Sequence, residues 1–109
     1  MNIIEITPSY SVSPQITVAD VATIAERGFN AIMCNRPDGE SADQTDVAEI
    51  RAEAERLGLA FAFVPVVSGG IVPDDVADFK AALAELPTPV LAYCRSGGRC
   101  QNLWMLARS

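Results

Sequence analysis

A chain of 109 residues, half of them apolar, is long enough for one hydrophobic core and too short for two, and its glycine and proline content is that of a globular protein. A formal net charge of -6 disfavours nucleic acid or an acidic membrane surface as partner. The absence of histidine excludes a Ser-His-Asp triad, a Cys-His catalytic pair and any histidine-bearing zinc site, and three cysteines without Cys-x2-Cys spacing favour neither a disulfide scaffold nor a metal centre.

No apolar run approaches the ~20 residues of a membrane span, and Met1-Asn2-Ile3-Ile4-Glu5 lacks the basic flank and long apolar stretch of a signal peptide. The expectation is one cytoplasmic domain over residues 1–109, with no cofactor, no metal and no membrane partner.

Residues 1–14 are mixed, and a short first strand is expected near Tyr10 to Ser13. Thr17 opens a helix with Asp20 in its first turn; Val18, Val21, Ala22 and Ala25 form the expected apolar stripe and Gly28 ends it. Phe29 and Ala31 to Cys34 read as the second strand, which leaves into the polar turn Asn35-Arg36-Pro37-Asp38-Gly39-Glu40. Asp43 or Thr45 is expected to cap a helix carrying Val47, Ile50, Ala54 and Leu57 at helical spacing up to Gly58. Leu59 to Val67 is almost wholly apolar and reads as a third strand too long for an edge facing water. Pro73 suits the first turn of a third helix with Asp74, Asp75 and Asp78 near its positive end and Val76, Phe79, Leu83 and Leu86 on its buried face. Val90 to Tyr93 is the last strand, and Cys100 to Ala107, with Leu103 and Trp104, the last helix.

Strand and helix alternate, and the strands are apolar runs, so the fold class is α/β: a mainly parallel sheet of four or five strands covered by helices on both faces. Ligands of such sheets bind beyond the carboxyl ends of the strands. That rule places Cys34 to Asp38, Val67 to Gly70 and the loop beginning at Cys94 on one rim.

The loop Cys94-Arg95-Ser96-Gly97-Gly98-Arg99-Cys100 joins a strand's carboxyl end to a helix amino end, a place where free backbone N–H groups and the helix dipole favour an anion. A cysteine there ionises readily, and the thiolate is the reactive form. Cys94 is the expected nucleophile. Arg95, Ser96, Gly97, Gly98, Arg99 and Cys100 form the expected anion cradle, with Arg99 also catalytic and Arg95 supplying charge at the mouth. Cys34, Arg36, Asp38 and Ser68 are auxiliary candidates. Structural roles are open for several of them: Cys100 filling a helix turn, Cys34 in the core, Arg36 and Asp38 shaping their turn.

Ser13-Pro14-Gln15, Asn35-Arg36-Pro37-Asp38-Gly39-Glu40 and Ser96-Gly97-Gly98-Arg99 with Leu103-Trp104 carry a resemblance to the phosphatase-like domain of the beta-lactamase hydrolase-like proteins, over nearly the whole chain. The resemblance implies the cysteine-phosphatase fold, with the loop-bearing strand central and the second strand beside it, so that Cys34 could sit near Cys94. Protein phosphatases of that fold carry His-Cys-x5-Arg and an aspartate acid on another loop. Here Tyr93 precedes the cysteine, Cys100 occupies the place of the arginine, and Ser68 stands where the acid is expected. The loop itself is similar to the Cys-Arg-Ser-Gly-x-Arg-Ser of single-domain rhodaneses.

A phosphate ester leaves as an alkoxide that gains ~10² to 10⁴-fold from a general acid, whereas sulfite leaves thiosulfate as a stable anion. The sequence therefore points first to sulfur transfer through a Cys94 persulfide, from a small sulfur-containing anion or persulfide to a thiol acceptor. A tyrosine or dual-specificity phosphatase working through a phosphocysteine is the alternative. A non-catalytic thiol redox sensor, pairing Cys94 with Cys100 or Cys34, is a third.

Overall fold

The computed structural model describes residues 1–108. In chain order its elements are β1 (Ile4–Thr7), β2 (Tyr10–Ser13), α1 (Val18–Glu26), β3 (Ala31–Cys34), α2 (Val47–Arg56), β4 (Ala60–Phe63), α3 (Pro73–Glu85), β5 (Val90–Tyr93) and α4 (Gly98–Ala107). The strands form one sheet in the order β1-β2-β5-β3-β4, parallel except for the β1–β2 hairpin. The α/β class and the central place of the loop-bearing strand are as expected from the sequence.

Both faces of the sheet are covered, and the period of two along each strand sorts the core into two sides. Val90, Ala92 and Cys94 of the β5 segment, with Ala31 and Met33 of β3, meet Phe79 of α3 and Cys100 and Leu103 of α4. Leu91 and Tyr93, with Ile32 and Cys34, meet Val21 and Ile24 of α1 and Ile50 and Ala54 of α2. β3 and β5 thus bury every side chain, which is why they read as unbroken apolar runs.

Four expectations are corrected. Ile4–Thr7 is a strand that the mixed composition conceals; it is an edge strand whose first residues face water. The third predicted strand is an edge as well: only Ala60–Phe63 stay in the sheet, half-buried and paired to β3 alone, and Val64 and Val66 then turn inward. The α1 stripe is Val21 and Ile24, with Val18 on the exposed side. The α2 N-cap is Asp46, which makes no side-chain cap, and the orphan N–H of Val47 donates instead to Asp38 Oδ1 at 2.9 Å. The reciprocal Thr17–Asp20 capping box of α1 forms as expected.

Tyr10 ties β2 to α4. Its ring stacks on Trp104 at 4.5 Å between centroids and meets Phe79 edge-on, and its buried hydroxyl donates to the Cys100 carbonyl at 2.8 Å. Tyr10→Phe keeps the rings and removes the bond, so a loss of about 1 kcal/mol is expected, read as a lower urea midpoint at unchanged slope.

Candidate active site

β5 ends at Tyr93, and the chain needs only Cys94 to Gly97 to turn into α4. Gly97 makes this tight turn possible. It is the N-cap of α4 with φ +93°, and a Cβ there would lie 3.5 Å from the Ser13 backbone. The turn brings N–H groups onto one atom: Gly97 N–H donates to Cys94 Sγ at 3.1 Å. The Cys100 thiol and the backbone N–H groups of Cys100 and Ser96 lie beside that sulfur and favour its ionised form. Together these groups outweigh burial and hold the Cys94 thiol down at about 5, so it is a thiolate at neutral pH. Cys94 is fully buried at the base of the loop.

The predicted cradle residues divide around the thiolate. Arg99 is nearly buried and turned sideways: Nη1 and Nη2 grip the two oxygens of Glu40 at 2.7 and 2.8 Å, and Nη1 also donates to the Val66 carbonyl at 2.9 Å. Ser96, Gly98 and Arg99 line a cleft of about 450 Å³ with Asn102 of the same helix and Ser68 from the facing segment. On the other side Arg95 is exposed and borders a second cleft of about 230 Å³ with Arg36, Gln15 and Ser41. Cys100 opens into neither, being sealed in the core beside Cys94, where burial pushes its thiol well up.

The auxiliary candidates fall out as follows. Arg36 is buried and spends its donors on Glu40 at 2.9 Å, Gln15 at 3.0 Å and Ser41 at 3.2 Å, so it organises the rim. Asp38 caps α2, as described. Ser68 is exposed at the first cleft. Cys34 pairs in register with Tyr93, one residue before Cys94, yet its side chain packs on the α1–α2 face and its thiol donates to the Arg36 carbonyl at 3.2 Å. Burial raises that thiol above its ordinary range.

Glu40 is the site residue that sequence reasoning left without a role. It sits in one of the segments that carry the family resemblance, but the bond it makes spans 59 positions and has no local signature. Held chiefly by Arg99, with Arg36 adding to it, its carboxyl is lowered to about 2. Its folded pKa lies below the ordinary 4.5, so its contribution to stability is present above pH 4.5 and is lost as pH falls through about 2. Glu40→Gln is expected to flatten that acid limb, measured as urea midpoints from pH 7 down to 2.

Three sets of relatives match this arrangement. A sequence profile of the family described as "Beta-lactamase hydrolase-like protein, phosphatase-like domain" covers residues 2–109. The Beta-lactamase hydrolase-like protein of Xylella fastidiosa (strain Temecula1) is 36% identical over 107 residues, which are 98% of this chain and 25% of that protein. The chain thus spans about a quarter of the length of the curated relatives it matches.

Among crystal structures, a Neisseria meningitidis Z2491 protein provisionally assigned as a phosphatase superposes with TM-score 0.90 at 40% identity, over 99% of this chain and 77% of its own. The core catalytic domain of the S. cerevisiae PP-IP phosphatase SIW14, solved with citrate, superposes with TM-score 0.68 at 15% identity, over 89% and 57%. The fold of this chain is that of the cysteine phosphatases.

Proposed function

This chain belongs to the beta-lactamase hydrolase-like, phosphatase-like domain family, and from that premise we propose that it is a cysteine-dependent sulfurtransferase built on the phosphatase fold. The observation that carries this reading is the state of Glu40. Among the described residues it is the one carboxylate hydrogen-bonded to the Cys94–Cys100 loop, and two arginines keep it ionised far below neutrality. It has no proton to give an alkoxide. A reaction whose leaving group is already a stable anion has no need of one.

In this mechanism the Cys94 thiolate attacks the outer sulfur of thiosulfate. The bond between that sulfur and the sulfonate sulfur breaks, sulfite departs with the electron pair, and Cys94 holds the transferred sulfur as a persulfide. The N–H groups of Ser96, Gly97 and Cys100, freed from the resting thiolate, stabilise the charge on the terminal sulfur. The exposed Arg95 supplies positive charge where the anion arrives. An acceptor thiolate then takes the terminal sulfur and returns Cys94 to its resting state.

The second reading is phosphate monoester hydrolysis through a phosphocysteine. It is favoured by the provisional assignment of the Neisseria protein, whose 40% identity to this chain is well above the 15% of the yeast phosphatase. Thiosulfate:cyanide sulfur transfer measured beside aryl phosphate hydrolysis, in the parent and in Cys94→Ser, separates the two. Sulfur transfer that disappears in the variant supports the first reading. Robust phosphate hydrolysis without sulfur transfer overturns it.

A further inference from the structure

We propose that Cys100 is an internal resolving thiol, which displaces the sulfur carried by Cys94 as sulfide and closes a Cys94–Cys100 disulfide. The inference rests on the sulfur-transfer reading and extends it to the fate of the intermediate.

Three observations place Cys100 for this step. Its thiol and N–H lie beside the Cys94 sulfur and favour its ionised form, and the Gly97 N–H of the same turn donates to that atom at 3.1 Å. Both residues are completely buried in the same half of the core, on the α3–α4 face of the sheet. Cys100 is fixed at that position: it lies in the first turn of α4, and its carbonyl is held by the Tyr10 hydroxyl. Cys34, the other thiol of the chain, packs on the opposite face and is turned to the Arg36 carbonyl. The fold therefore offers Cys94 one partner, not two.

The step balances without an outside oxidant. The Cys100 sulfur attacks the inner sulfur of the Cys94 persulfide, a new bond forms between the two cysteine sulfurs, and the bond to the terminal sulfur breaks. The Cys100 sulfur is oxidised, the terminal sulfur is reduced to sulfide, and the proton of the Cys100 thiol leaves with it as hydrogen sulfide. Because burial keeps Cys100 in its thiol form, the step is slow beside capture by an external acceptor. It governs what happens when no acceptor arrives: the enzyme empties itself and rests as a disulfide until a dithiol reduces it.

The test uses the reduced full chain, freed of reductant, mixed with one equivalent of thiosulfate in the absence of any acceptor. Released sulfite, released sulfide and intact mass are followed in the parent, Cys100→Ser, Cys100→Ala and Cys34→Ser, with circular dichroism to confirm that each is folded. The parent and Cys34→Ser are expected to release sulfide close to one per chain and to lose two hydrogens. The Cys100 variants are expected to release sulfide at least a hundredfold more slowly and to keep one extra sulfur on Cys94.

A parent that keeps its persulfide as long as Cys100→Ser does overturns the proposal, as does a disulfide that maps to Cys34. If the parent and Cys34→Ser release no sulfite and neither gain a sulfur nor lose two hydrogens, the sulfur-transfer reading itself has failed and the resolving role falls with it. In turnover with cyanide and no reductant, parent activity should decline with time while Cys100→Ser stays linear. Equal progress curves count against the proposal.

Discussion

Replacing Cys94 by serine is expected to lower thiosulfate:cyanide turnover by at least about a thousandfold, the scale on which enzymes lose rate with their nucleophile. The reason is ionisation. The loop holds the Cys94 thiol down at about 5 with hydrogen bonds, chiefly from the Cys100 thiol, whereas a serine hydroxyl in the same bonds stays protonated. Fold and stability should change little, because the hydroxyl is close in size to the thiol and can still accept the Gly97 N–H. The same ionisation predicts that the parent's rate falls on the acid side with a midpoint near 5, where the thiolate is lost. The measurement is a pH–rate profile of the parent and a single-pH rate for the variant, with circular dichroism on both. A variant that kept a tenth of the parent's rate would remove Cys94 from its assigned role.

The parts of this molecule that were legible in the sequence are those where one residue type decides the local structure. Thr17 with Asp20 fixes the start of α1, Pro73 suits the first turn of α3, and the apolar Val90–Tyr93 before Gly97 fixes a buried strand feeding a tight turn. The candidate nucleophile belongs to that class, since a strand end, a glycine and a helix start together define an anion-favouring turn. What the sequence concealed depends on distant pairing. β1 forms because β2 gives it a partner, and β4 is an edge because nothing pairs with its outer side. Apolar run length could not tell four strand residues from the inward-turning Val64 and Val66 that follow. Asp38 reads as a rim carboxylate, and only the fold shows it nine residues away on the first N–H of α2. The division of the cysteines has the same origin: adjacent strands suggest that Cys34 and Cys94 are neighbours, and the period of two puts their side chains on opposite faces.

Arg99→Ala should cost about 2 to 3 kcal/mol of stability, below the ~3 to 5 kcal/mol typical of breaking a wholly buried pair because Glu40 is a quarter exposed. The change strips three bonds at once. The Val66 carbonyl loses the guanidinium donor, and Glu40 loses both arms of the Arg99 fork, keeping Arg36 at 2.9 Å. Arg99→Lys should recover about half of the loss, since an ammonium restores the charge but cannot hold both carboxylate oxygens and the carbonyl together. The gap between parent and Arg99→Ala should also depend on pH. Glu40 is protonated in the parent only as pH falls through about 2, whereas without Arg99 its pKa returns toward 4.5, so the gap is full at neutral pH and shrinks across that interval. Urea denaturation of the three proteins at pH 7 and pH 2.5 measures both effects. An alanine variant as stable as the parent at pH 7 would show that the Arg99–Glu40 pair only decorates the rim. A large loss confined to the alanine variant, with lysine close to the parent, would mean that charge alone and not the fork holds the loop against the Glu40 and Val66 segments.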